Sequence, residues 1–131
     1  MRMIQALAAI KGGVEAAAGL IEELQQRGLI GDAAVARLAA AEAILNGGKG
    51  EAALRFAKDA LIFFDARQIW ESVFRCNLIV SRVSRDSVER EAHALSARNA
   101  LGQLRSLWPA NDLDGYFRTN EIRRLTEGVE L

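Results

Sequence analysis

Five arginines fall between positions 67 and 90: Arg67, Arg75, Arg82, Arg85 and Arg90. Glu71, Asp86 and Glu89 lie among them. A guanidinium binds a carboxylate through two parallel hydrogen bonds, so such a row could grip a carboxylate or a peptide terminus. Arg75 and Arg82 are seven residues apart and share a helix face, with Glu71 and Ser72 beside Arg75. The plainer reading is a solvated face with internal ion pairs. The lone histidine, His93, follows Glu89 by four residues and shares its face. A metal site would need more ligands of that kind, and the chain has no second histidine or cysteine. His93 therefore reads as a neutral imidazole at a helix–helix contact, hydrogen-bonded to a neighbour. Cys76, within VFRCNLIV, reads as a small buried hydrophobe. Cys–His catalysis would need the two side chains to meet and a third group to orient them, and nothing in the spacing points that way. The carboxylates Glu22, Glu23, Glu42, Glu51 and Glu71 include no pair in an apolar setting that would shift a pKa. Gly12-Gly13 and Gly47-Gly48 fit no phosphate-loop frame and follow no predicted strand. No catalytic residue, metal or cofactor is expected.

Composition bounds the partners. Basic and acidic residues balance at 17 each. Nucleic acids and membrane surfaces usually attract a basic excess, so neither is expected as a partner. The opening, MRMIQALAAIKGG, is too short an apolar run for a signal peptide, and no run approaches membrane-spanning length. A cytoplasmic protein is the expectation. At 131 residues the chain suits one domain, able to bury roughly two-thirds of its unfolded surface.

The elements that must position these side chains are helices. Alanine, leucine, glutamate and arginine dominate, and there is one proline. Breaks at Gly12-Gly13, Asn46-Gly47-Gly48 and Ser84-Arg85-Asp86 are followed by similar segments: VEAAAGLIEEL, GEAALRFAKDAL and REAHALSARNAL. Their Glu-Ala starts lie 36 and then 40 residues apart, a spacing typical of helical-repeat arrays. Helices are predicted over about 2–11, 14–27, 33–46 (capped by Asp32), 50–65, 67–83 and 87–107 (capped by Asp86 or Ser87). Ala53, Phe56, Ala57, Ala60, Leu61 and Phe64 form one apolar stripe. Its alanines let paired helices approach closely.

At these positions the chain resembles the tetratricopeptide repeat family. Ala41, Ile44, Gly48, Ala53, Phe56 and Ala60 match that family's pattern of small and apolar residues. Residues 33–64 match best; Leu24 and His93 stand where the flanking units would carry a small residue. The run ALGQLRSLWPANDLDGYFRTNEIRRL is similar to the segment closing the repeat region of large bacterial signalling regulators, through Leu104, Leu107, Trp108, Tyr116, Phe117, Ile122 and Leu125. An open stack exposes an apolar end, and this tail is placed to cover it. The expected fold is all-α. One domain spans 1–131, a stack of three antiparallel helix pairs at about 2–27, 33–65 and 67–107, with a short C-terminal capping helix within 111–128.

In the resembled family the first helix of each pair lines a concave groove. The resemblance thus implies Arg37, Glu42, Glu71, Arg75 and Arg82 as the groove residues. It also implies a non-catalytic interaction module of a bacterial signalling or regulatory system, binding a peptide or partner domain. The uncovered N-terminal end, near Leu7 and Ile10, predicts self-association or a chain cut from a longer protein. The alternative is a small helical ligand-binding protein or enzyme with a pocket near Trp70, Tyr116 and Arg75. A DNA-associated regulator would need a basic, solvent-facing recognition helix, which the apolar 67–83 segment does not supply.

Overall fold

The computed structural model describes residues 13–45 and 50–131. The helix expected over 2–11, with Leu7 and Ile10, and the Asn46-Gly47-Gly48 break lie outside the described residues. Seven helices make up the described part: α1 (Gly13–Gln26), α2 (Ile30–Leu45), α3 (Gly50–Ala66), α4 (Trp70–Val83), α5 (Ser87–Leu107), α6 (Ala110–Arg118) and α7 (Asn120–Thr126). No strand occurs among the described residues, and the chain is all-α. Sequential helices α1 to α5 pack antiparallel, and α2 also meets α4 directly. The tail forms two short helices where one was expected. Thr119 separates them, and its hydroxyl donates to Tyr116 O at 2.8 Å instead of capping α7.

The turns show why the chain reverses where it does. At the end of α1, Leu29 N donates to Leu24 O at 2.9 Å and Gly28 N to Gln25 O at 3.0 Å, with Gly28 at φ +78°. That hydrogen-bond pair, closed by a left-handed residue, stops a helix and satisfies its last carbonyls. Forty residues on, Ile69 N donates to Phe64 O and Gln68 N to Asp65 O, both at 3.1 Å, with Gln68 at φ +54°. The two turns share one geometry, and α2, α4 and α6 start at residues 30, 70 and 110. Aligning Glu15 with Glu51, at a spacing of 36, therefore falls four residues short of the 40 that separate these turns. Asp32 falls in the first turn of α2 instead of at its cap, whereas Asp86 caps α5 by accepting from Val88 N at 2.9 Å and Glu89 N at 3.4 Å. A side chain at Gln68 disfavours the left-handed backbone that glycine adopts freely. Gln68→Gly is expected to stabilise the protein by about 0.5–1 kcal/mol, read as a higher denaturation midpoint.

Alanine sets the spacing of the core. Six of the eight buried residues of α2 are alanines: Ala33, Ala34, Ala36, Ala39, Ala40 and Ala41. Across from them α3 buries Ala53, Ala57 and Ala60 without residual exposure. The bulk lies on α4, where Phe74, Leu78, Ile79 and Val80 are wholly buried. Fully burying one such side chain contributes about 1.5–3 kcal/mol, so α4 is the hydrophobic axis of the molecule. The tail covers it. Phe117 meets Phe74 edge-on at 6.1 Å, Tyr116 lies 6.4 Å from the same ring, and Ile122 and Leu125 are 3% exposed. Leu107, at the end of α5, is exposed.

Candidate functional site

Three of the five groove residues meet. Glu42 of α2 pairs with Arg75 Nη2 of α4, and Arg75 Nη1 lies 3.2 Å from Glu71 Oε1 one turn away. Tyr116 of α6 donates its hydroxyl to Glu71 Oε2 at 2.8 Å. The contact between α2 and α4 brings Glu42 to Arg75, and the docking of Tyr116 beside Phe74 brings its hydroxyl to Glu71. The network thus spans three helices. It is half-sealed: the Glu42 side chain is 10% exposed, Arg75 24% and Glu71 28%.

The electrostatics follow from that partial sealing. Burial pushes the Glu42 carboxyl above its ordinary range, and Arg75 only partly offsets the rise. This corrects the expectation that no carboxylate sits in a pKa-shifting environment. Burial alone would lower the Arg75 pKa, but Glu42 and Glu71 outweigh it and hold the guanidinium charged. Burial, then the Glu71 charge, pushes the Tyr116 phenol far up, so it stays a protonated donor. Two carboxylates share one guanidinium, and the cluster keeps a negative excess.

Arg37 and Arg82 stand apart from it. Arg37 Nη1 points to Gln25 Oε1 of α1 at 3.4 Å. Arg82 Nη1 donates to three backbone carbonyls at the end of α7: Arg124 O at 2.7 Å, Glu127 O at 3.2 Å and Leu125 O at 3.3 Å. The end of a helix leaves carbonyls unsatisfied and carries partial negative charge, so a guanidinium suits that position. Arg82 is thus engaged by the end of this chain's own last helix. Trp70 and Arg75 face different ways. Five residues along α4 turn them about 140° apart, and Trp70 lines a cleft with Asn77 and His93 instead.

His93 Nδ1 lies 2.7 Å from Asn77 Oδ1, and Asn77 Nδ2 donates to Val73 O at 2.9 Å. With its amide donor committed to Val73, Asn77 presents its oxygen to His93, so Nδ1 carries the proton. Burial lowers the His93 pKa against the attraction of Glu89, and Lys58 adds to the lowering. Lys58 in turn pairs with Glu89 and holds that carboxyl below its usual range. A histidine with a lower pKa folded than unfolded withholds protons on folding. Its contribution is complete above pH ~6.5 and is lost as pH falls through the folded value. Stability of the native chain relative to His93→Asn, which keeps a donor near Nδ1, is expected to fall between pH 7 and 5. Chemical denaturation across that range measures it. Cys76 is wholly buried and its thiol is pushed up to about 12 by that burial, so it is no nucleophile at neutral pH.

Asn77 went unremarked in the sequence, although an amide within a helix apolar nearly all round demands a fixed partner. Among the described residues no three His, Cys, Asp or Glu side chains group to hold a metal ion, and no helix is long and apolar enough to cross a membrane. Comparison of the chain with protein-family models, with curated proteins and with solved structures finds no match.

Proposed function

We propose that this chain is a non-catalytic interaction module, a tetratricopeptide-like stack serving a bacterial signalling or regulatory system in the cytoplasm. It binds a peptide or partner domain on the face shared by α2, α4 and α6. The observation that carries this reading is the Glu42–Arg75–Glu71–Tyr116 network, contributed by those three helices and left partly open to solvent. Its negative excess favours a basic group on the partner, where the sequence had suggested a carboxylate. The equal spacing of α2, α4 and α6 supports the repeat reading. The locked imidazole and the buried thiol count against Cys–His chemistry.

The test places a photo-cross-linking residue at Val35, 43% exposed on α2 and two turns before Glu42 on the same helix face, or at Ile62, which is 73% exposed on α3. Capture of a defined partner from position 35 and not from 62, weakened by Glu71→Lys, is the expected result. Equal capture at both positions, or none, overturns the reading.

A further inference from the structure

A second polar surface lies away from that network. Helices α3 and α5 run in the same direction, each antiparallel to α4, and do not pack closely along their length. Between them, over α4, opens a cleft of about 300 Å³. The Lys58–Glu89 pair bridges α3 to α5 beyond the cleft and neutralises itself. The cleft is lined by Asp65, Trp70, Asn77, His93, Asn99 and Gln103 among others. Helix α5 turns Ala97, Ala100, Leu101 and Leu104 to the core and presents the part-buried His93 and the exposed Asn99 and Gln103 to the cleft, hydrogen-bonding groups without formal charge.

We propose that this cleft binds a short extended peptide segment bearing a basic side chain. Each side-chain amide offers one donor and one acceptor group, the complement of a peptide bond. Asn99 and Gln103 are one helical turn apart, a rise of about 6 Å. Alternate residues of an extended chain, which present the same edge, recur at about 6.6–6.8 Å, so the two amides match successive peptide groups on one edge. Asp65 lines the cleft and enters no ion pair among the described residues. Trp70, half-buried, lines the same cleft and offers an aromatic face for a cation or its aliphatic stem. Asn77, 2% exposed and held at both ends of its amide, fixes His93 as part of a rigid floor. The ligand class follows the interaction-module reading, but the surface is a different one and stands or falls separately.

The test titrates the isotopically labelled full chain with acetyl-Gly-Lys-Gly-amide, and with peptides carrying norleucine or glutamate in place of the lysine. Saturable shifts of the Trp70 indole N–H and the Asn99 and Gln103 side-chain amides are expected. The lysine peptide should bind at least about threefold tighter than the norleucine peptide. Asp65→Asn should abolish that preference, and Asn99→Ala with Gln103→Ala should weaken both peptides about tenfold. No saturable shift at these groups, or equal binding of the glutamate peptide, overturns the proposal. Shifts confined to the surroundings of Glu71 and Tyr116 overturn it too, while leaving the α2, α4 and α6 face standing. Cleft binding without cross-linking from position 35 supports the cleft and removes that face.

Discussion

Alanine at position 75 will lower the unfolding free energy by about 2–4 kcal/mol, read as a fall in urea midpoint at unchanged slope. The loss has two parts. Glu42, with a side chain only 10% exposed, keeps its charge but loses its counter-ion, and Glu71 is left with the Tyr116 hydroxyl alone. The gap between α2 and α4 also loses the guanidinium that filled it. The figure falls below that for a fully buried pair because Arg75 keeps 24% exposure and water can reach the site.

The loss depends on pH with a definite sign. Burial already holds the Glu42 carboxyl above its ordinary range while Arg75 is present. Without Arg75 the rise is larger. A carboxyl whose pKa is higher folded than unfolded takes up a proton on folding, so its penalty is greatest at high pH and fades as pH falls toward the unfolded value. The difference between native and Arg75→Ala chains should therefore shrink from pH 7 to 5. Arg75→Met combined with Glu42→Leu should recover most of the stability, because a well-packed apolar pair often replaces a buried ion pair without loss. A single variant within 0.5 kcal/mol of the native chain would show that the cluster holds nothing together.

That cluster marks where sequence reasoning reaches and where it stops. Glu71 and Arg75 are one turn apart, so their pairing follows from helical spacing alone. Glu42 joins them only through the packing of α2 on α4, which no local spacing encodes. Arg82 is further from reach, since its acceptors are backbone carbonyls more than forty residues away and leave no mark in side-chain chemistry. The helix limits were legible where a residue type enforces them: Gly28 after α1, Asp86 before α5, Pro109 after α5. They were less so at the start of α4, where Gln68 takes the left-handed conformation without being a glycine. The expected start near 67 gave way to Trp70 for that reason. Around Trp70, Tyr116 and Arg75 helical geometry parts the tryptophan from the other two. Tyr116 and Arg75 share one side of α4, and Trp70 looks out over another.

Phe74→Ala should cost about 3–5 kcal/mol and loosen the tail beyond the core it empties. The ring is wholly buried on the central helix and receives both Tyr116 and Phe117. Two aromatic contacts of this kind contribute about 0.5–1.5 kcal/mol each beyond their buried area. Helices α6 and α7 are short, at 9 and 7 residues, and such helices have little stability of their own. Their order depends on what they rest upon. Amide exchange across residues 110–126 should therefore accelerate more than exchange in α2 or α3, which also hold each other through buried alanines. Phe74→Leu separates volume from aromatic contact: it fills most of the space and should lose about 1–2 kcal/mol, mainly in the tail. Tyr116→Phe keeps the ring and removes only the hydroxyl on Glu71, an expected loss of about 1 kcal/mol. Uniform acceleration through all helices in Phe74→Ala would mean that the tail and the stack unfold as one unit, and that the covering segment owes nothing particular to this ring.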